Sequence, residues 1–118
     1  MKIDVDDSNW IRPMPNAIIS CRSKDGHDNA LAIGFISNIA TDPLMIMVAI
    51  RPSRYSHEII KETKNFVVNL PTKDFKREFD YLGSVSGYDE DKLTSINTTD
   101  ADVINAPILT DCPINYEC

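Results

Sequence analysis

The segment Asp28–Ile60 constrains the fold most, because it combines two strand-like stretches, a turn and the start of a helix. After the Asp42-Pro43 turn, Leu44–Ile50 runs apolar without a polar break. Such a run is typical of a strand buried on both faces, so we expect Leu44–Ile50 at the centre of a sheet. A short helix should follow, with Ser56 as its N-terminal cap.

The rest of the chain predicts more strands and one further helix. A hairpin is expected over residues 17–35, because an Asp25-Gly26 turn separates two apolar stretches. Thr72 is expected to cap a helix whose apolar stripe at spacings i, i+4 and i+7 packs on the core. That stripe consists of Phe75, Phe79 and Leu82, and the further strand patterns cover residues 65–70, 108–110 and 114–118.

Two segments outside these elements carry their own expectations. Residues 1–12 form an acidic lead-in that Trp10 and Ile11 are expected to anchor on the core. Residues 83–106 form a long connection rich in turn residues, and such a connection inside a small domain is usually functional or covers a neighbour.

Composition limits the classes of function. A chain of 118 residues fits one domain, and it has no apolar run of the roughly 18 residues that a membrane helix requires. The net charge of −6 argues against nucleic-acid binding, which needs a basic face. The N-terminus lacks the apolar core of a secretory signal, so we expect a cytoplasmic protein. Its three cysteines lack metal-site spacing and are expected to be free thiols.

Several catalytic and nucleotide-binding motifs are not matched. The four glycines form neither a GxGxxG nor a Walker-type loop. The stretch Gly83–Gly87 has Val85, not serine, at the centre of what would be a nucleophile elbow. His27 and His57 lack the spacing of metal ligands, which favours surface or capping roles. The sequence therefore favours neither a serine hydrolase nor a metal site.

Polar residues beside the apolar strands are the candidate binding residues. Asn29 and the Ser37-Asn38 pair would be costly to bury unpaired, so we expect them to have partners. The loop before the predicted helix carries cationic and hydroxyl groups where free backbone N–H groups also point outward, a combination that suits a phosphate. These loop residues are Arg51, Ser53, Arg54 and Ser56.

The order of these motifs resembles the flavin reductase-like family with an FMN-binding split barrel, and especially its flavoredoxin branch. The resemblance extends through nearly the whole chain. It rests on Arg12-Pro13, Asp25-Gly26, Asn29-Ala30, Phe35–Ser37, Asp42–Leu44, Arg51–Ser56, Asp80–Gly83, Ser86-Gly87, Asp91-Lys92, Ala106–Ile108, Cys112-Pro113 and Glu117-Cys118.

The resemblance implies a mainly β fold, a six-stranded antiparallel Greek-key split barrel with short flanking helices. It implies FMN at a homodimer interface, with Asn29 bonded to the flavin, Phe35 against its ring, and Ser56 and Lys92 at its phosphate. Lys92 also explains how an acidic protein could hold a dianion. The alternative is that Lys92 is a surface lysine paired with Asp89 or Asp91.

The family resemblance also sets limits. Phe35 stands where the flavoredoxin pattern favours Trp, which keeps an aromatic surface but loses an N–H donor. Leu82 stands where Cys is common, which argues against a thiol function there. The family continues past Cys118, so residues 1–118 are expected to be one flavin reductase-like domain that lacks its C-terminal portion.

Three functions remain open from the sequence. The first is an FMN-dependent oxidoreductase that takes a hydride from NAD(P)H, and the second is an FMN carrier that exchanges electrons only with a redox partner protein. The third is a cofactor-free interaction protein. Membrane and nucleic-acid partners are not expected.

Overall fold

The computed structural model describes residues 1–6 and 10–118, so the part of the acidic lead-in at residues 7–9 lies outside the described residues. Its strands are β1 Ala17–Arg22, β2 Asp28–Ile33, β3 Ile36–Thr41, β4 Leu44–Val48, β5 Val67–Leu70, β6 Thr98–Asp100, β7 Pro107–Leu109 and β8 Ile114–Glu117. Its helices are α1 Tyr55–Thr63 and α2 Lys76–Ser84, with a 3-10 turn at Lys73–Phe75. Neither of these described helices is long and apolar enough to cross a lipid bilayer.

The strands pair antiparallel in three sheets, one of four strands and two of two strands. The larger sheet has the order β2-β1-β5-β8, so β1 and β5 are its inner strands. Alternate residues of β1 enter different core clusters, as the two-residue period of a strand requires. Ile18 packs with Leu82 of α2 on one face, while Ala17 and Ile19 join the cluster on the other face.

The predicted hairpin, the strands near residues 65–70, 108–110 and 114–118, and the core-facing helix stripe are confirmed. β1 and β2 form the hairpin in register from Ala17 opposite Ile33 to Arg22 opposite Asp28. Gly26, in the turn, has a φ of 90°, a left-handed conformation that glycine adopts without strain.

The prediction that Leu44–Ile50 is the centre of the sheet is wrong. Within the described residues β4 pairs only with β3, and Leu44, Met45 and Met47 are between 49% and 59% exposed. The other face of this hairpin, including Ile46, packs on the core. A continuous apolar run indicates two hydrophobic faces, but it does not indicate what covers each of them.

The side-chain caps predicted at Ser56 and Thr72 do not form. Arg54 occupies the N-cap position of α1 without a side-chain hydrogen bond, and the Ser56 hydroxyl is turned inward to Asn29. Thr72 stands at the N-cap of the 3-10 turn but makes no side-chain cap either. Capping propensity located the start of α1 to within a residue or two and matched the start of the 3-10 turn that leads into α2. Tertiary contacts determined the use of the Ser56 hydroxyl.

The anchor predicted at Ile11 is also wrong, because Ile11 is 93% exposed. Trp10 does contact the body of the domain. Its ring lies edge-on to that of Phe35, with 5.3 Å between the ring centroids.

The buried side-chain amide of one asparagine links four strands through hydrogen bonds. Asn69 of β5 is fully buried, and its Nδ2 donates to Ser20 Oγ at 2.9 Å and to the Ile18 carbonyl at 3.1 Å. Its Oδ1 accepts from the Leu109 backbone N–H at 3.1 Å and from Asn115 Nδ2 at 2.8 Å. These bonds connect β5 with β1, β7 and β8, and the sequence pattern did not indicate them.

Candidate functional site

A cleft lies where β2, the start of α1 and the loop after α2 meet. It consists of a small cavity of about 40 Å³ and a larger one of about 560 Å³. Leu31, Ala32 and Arg54 line both cavities, so the two adjoin. A ligand with a compact end and a bulky end could therefore occupy both.

The small cavity is built around a buried hydrogen bond between β2 and α1. Asn29 Nδ2 donates to Ser56 Oγ over 2.8 Å, and both residues are at most 2% exposed. The Ser56 hydroxyl also lies within hydrogen-bonding reach of the Cys21 thiol. The Asn29 amide oxygen is a further acceptor at the cavity wall. Because Ser56 lies in the first turn of α1, backbone N–H groups without intrahelical partners lie nearby.

Lys92 brings a positive charge into the same cavity from the long connection after α2. It is only 3% exposed, and its Nζ donates to the carbonyls of Leu82 and Val85, each at 3.0 Å. An ammonium has three N–H donors, so one remains for a ligand. The alternative of a surface lysine paired with Asp89 or Asp91 is wrong.

The electrostatics of this cavity favour an anion. Burial, and then the positive charge of Arg54, lower the pKa of Lys92 to about 8. Cys21, opposite Asn29 in the β1–β2 register, is also buried, and burial raises the pKa of its thiol to about 11. Among the described residues that line the cavity, two are cationic and none is a carboxylate.

Gly87 forms a close-fitting part of the cavity wall. A Cβ at this position would lie 2.8 Å from Asn29 Oδ1 and 2.8 Å from the Tyr55 ring. Tyr55 in turn meets the ring of Tyr88 edge-on, with 4.9 Å between the ring centroids. The backbone at Gly87 can therefore approach the polar groups closely only because it has no side chain.

The large cavity has a different character. Most of its lining is apolar, from the end of β2, the residues after β4 and the segment before β1. Phe35 is 46% exposed there, and Trp10 lines the cavity beside it. Arg51 and Arg54 are the charged residues of this lining. Such a cavity suits a planar, largely apolar group.

The structure brings seven of the nine predicted binding residues to this cleft. Asn29, Ser53, Ser56 and Lys92 line the small cavity, Phe35 and Arg51 line the large one, and Arg54 lines both. Ser37 and Asn38 lie on the exposed β3–β4 hairpin instead and line neither cavity.

Sequence reasoning did not assign Trp10, Tyr55 or Gly87 to the site. Tyr55 and Gly87 stood within motifs quoted for the family resemblance, but nothing in their spacing indicated that they would meet. Trp10 was predicted only as an anchor of the lead-in. Its position next to Phe35 follows from the path of the chain before β1.

Fold and site together define a mainly β protein in which a small cavity with cationic and polar lining adjoins a larger, mostly apolar one. A family model described as a flavin reductase like domain matches residues 12–118. The chain therefore belongs to that family, as its motifs indicated, and structural matches place it with the flavoredoxins.

Two solved flavoredoxin structures are similar over essentially the whole chain. The flavoredoxin from Methanosarcina acetivorans is 32% identical with a TM-score of 0.92, over 100% of this chain and 63% of that chain. The flavoredoxin of Desulfovibrio vulgaris (Miyazaki F) is 25% identical with a TM-score of 0.92, over 99% and 65%. The predicted split-barrel class is confirmed by these matches.

A curated relative gives a similar result. An uncharacterized protein of Archaeoglobus fulgidus is 30% identical over 92 residues, which are 76% of this chain and 52% of that protein. The chain thus spans about half the length of that relative and less than two thirds of the two flavoredoxins.

Proposed function

We propose that this chain belongs to an FMN-binding oxidoreductase of the flavin reductase or flavoredoxin type. The observation that carries the proposal is the meeting of Asn29, Ser56 and buried Lys92 in a cavity that adjoins a large apolar one. FMN has the matching shape, a phosphate dianion at one end and a flat ring system at the other.

The residues present fit this cofactor. Lys92 and Arg54 would neutralise the phosphate, while the Ser56 hydroxyl and the first turn of α1 would donate hydrogen bonds to it. Asn29 holds Ser56 in place and offers its own amide oxygen to the ligand. Phe35 and the aliphatic wall of the large cavity would hold the ring and exclude water from one side. FMN, when bound, supplies hydride acceptance and electron transfer, so no side chain need act as a nucleophile.

The first test is FMN binding itself, measured by equilibrium dialysis and by quenching of flavin fluorescence. We expect the wild type to bind FMN and Lys92→Met to bind it at least tenfold more weakly, because a charge-assisted bond to phosphate is lost. Lys24→Met is the matched control, since Lys24 is exposed and lies outside the cleft. A wild type that binds no FMN, or a Lys92→Met variant that binds it equally well, would contradict the proposal.

NAD(P)H turnover is the finer part of the proposal, and a carrier without turnover is the second candidate. Because the structural matches include flavoredoxins, we retain the reductase and the carrier as candidates. Stopped-flow bleaching of bound FMN by NADH or NADPH separates them. Reduction faster than that of free FMN supports the reductase, and reduction no faster supports a carrier that meets a redox partner protein.

We also propose a homodimer with FMN near its interface. The β3–β4 hairpin supports it, because four of its large apolar side chains are between 49% and 59% exposed, namely Ile39, Leu44, Met45 and Met47. Ser37 and Asn38 lie on this hairpin, so we expect them to reach FMN from the second copy. Sedimentation velocity tests the dimer: Met47→Lys should shift the protein to monomer, and a monomeric wild type would refute it.

A further inference from the structure

The wall of the large cavity contains an aromatic side chain that comes from outside the barrel strands. Trp10 precedes β1, near the end of the lead-in of residues 1–12, and lines the large cavity. It is 50% exposed, and its ring meets Phe35 edge-on, with a centroid distance of 5.3 Å and an interplanar angle of 81°.

Two rings at a right angle form an aromatic corner. In such a corner one ring can lie flat against a planar ligand while the edge of the other meets the ligand's rim, the two geometries that aromatic pairs prefer. Phe35 alone offers one aromatic surface without a donor, whereas the indole of Trp10 adds a second surface and an N–H. Among the described residues, the rest of the lining is mainly aliphatic and includes no further aromatic ring.

We propose that Trp10 is a binding residue for the ring system of the flavin and that it forms, with Phe35, the aromatic corner of that site. This inference rests on the proposed function, because it takes FMN as the occupant of the cleft. Trp10 acts at the ring end, so its contribution is independent of the phosphate held near Lys92.

The separate roles of Trp10 at the ring and Lys92 at the phosphate predict different changes in affinity for FMN and for riboflavin. Riboflavin has the same ring system as FMN but lacks the phosphate. Trp10→Ala should weaken FMN and riboflavin by the same factor, about tenfold, as expected for the loss of one aromatic stacking partner. Lys92→Met should weaken FMN strongly and riboflavin little. Trp10→Phe should retain most of the affinity, because a flat aromatic surface remains.

The experiment measures dissociation constants for both ligands by equilibrium dialysis with the wild type, the three variants and Ile11→Ala. Ile11 is 93% exposed and lines neither cavity, so Ile11→Ala controls for perturbation of the segment before β1. Trp10 is the single tryptophan of the chain, so its emission reports directly on the site. Titration with FMN should quench that emission with the same midpoint as dialysis gives.

Equal losses for both ligands in Trp10→Ala, with unchanged binding in Ile11→Ala, support the inference. Unchanged binding in Trp10→Ala, or tryptophan emission that stays constant while dialysis records bound FMN, overturns the inference and leaves the proposed function standing. A wild type that binds neither ligand overturns the proposed function, and this inference with it.

Discussion

If Lys92 holds the phosphate of FMN as proposed, FMN affinity should depend on pH, in a direction that follows from the position of Lys92. In the free protein its pKa is lowered to about 8, first by burial and then by the charge of Arg54. A phosphate dianion in the same cavity stabilises the charged ammonium and raises that pKa again. Above pH 8 the free protein has lost the proton, so binding must take one up, and affinity falls as pH rises.

The size of the effect has an upper limit. If the bound phosphate restored the ordinary lysine value of 10.5, the two states would differ by about 2.5 pH units. At about 1.4 kcal/mol per unit, this corresponds to about 3 kcal/mol, or a few-hundred-fold in the dissociation constant. Affinity should stay level from about pH 7 to 8 and then fall by at most tenfold per unit. Below about pH 6 the phosphate becomes protonated and affinity should fall again.

The assay is flavin fluorescence quenching from about pH 6 to pH 9.5, with riboflavin as the matched ligand because it shares every ionisation of the ring. The Cys21 thiol, which also interacts with Lys92, stays neutral in this range because burial raises its pKa to about 11. Lys92→Met should bind FMN weakly, without the fall above pH 8. A flat FMN profile in the wild type, or a riboflavin profile that falls in parallel, would refute the reasoning.

Three further outcomes are expected. Gly87→Ala should weaken FMN binding more than tenfold in equilibrium dialysis, because the added Cβ would lie 2.8 Å from Asn29 Oδ1. Gly83→Ala is the matched control and should have a smaller effect, since its Cβ would lie 3.2 Å from the Ala32 methyl group. Asn69→Ala should lower the free energy of unfolding by about 2–4 kcal/mol in a denaturant titration, since it leaves buried donors and acceptors unpaired; a loss below 1 kcal/mol would count against its network. The Glu117 carboxylate accepts three backbone N–H hydrogen bonds, which lower its pKa. Its contribution to the free energy of unfolding should therefore be complete above about pH 4.3 and be lost as the pH falls below that value. Glu117→Gln should flatten this part of the stability profile, and an unchanged profile would contradict the prediction.

The local elements were predictable from the sequence because their signals are local. The Asp25-Gly26 turn fixed the β1–β2 hairpin, and the period of Phe75, Phe79 and Leu82 fixed the inner face of α2. Burial was less predictable. β1 and β5 are buried on both faces, whereas the more uniformly apolar β4 leaves one face exposed. Hydrophobicity indicates that a strand face packs against another surface, but not whether that surface belongs to the same chain.

Site residues could be predicted from the sequence where the chemistry of a side chain matches one group of the ligand, as a hydroxyl or an ammonium matches a phosphate. Ser56 and Lys92 were both expected near a phosphate, and the structure brings both to one small cavity. The buried carbonyl partners of Lys92 were not predictable, because they depend on how the chain turns after α2. The positions of Ser37 and Asn38 on the exposed hairpin were likewise set by tertiary packing and not by their polarity.

A crystal structure of the protein with FMN tests the central claim most directly. We expect the phosphate within hydrogen-bonding distance of Lys92 Nζ and Ser56 Oγ, with the flavin ring in the large cavity that Phe35 and Arg54 line. An FMN phosphate bound away from Lys92 and Ser56, with the small cavity unused, would contradict the account.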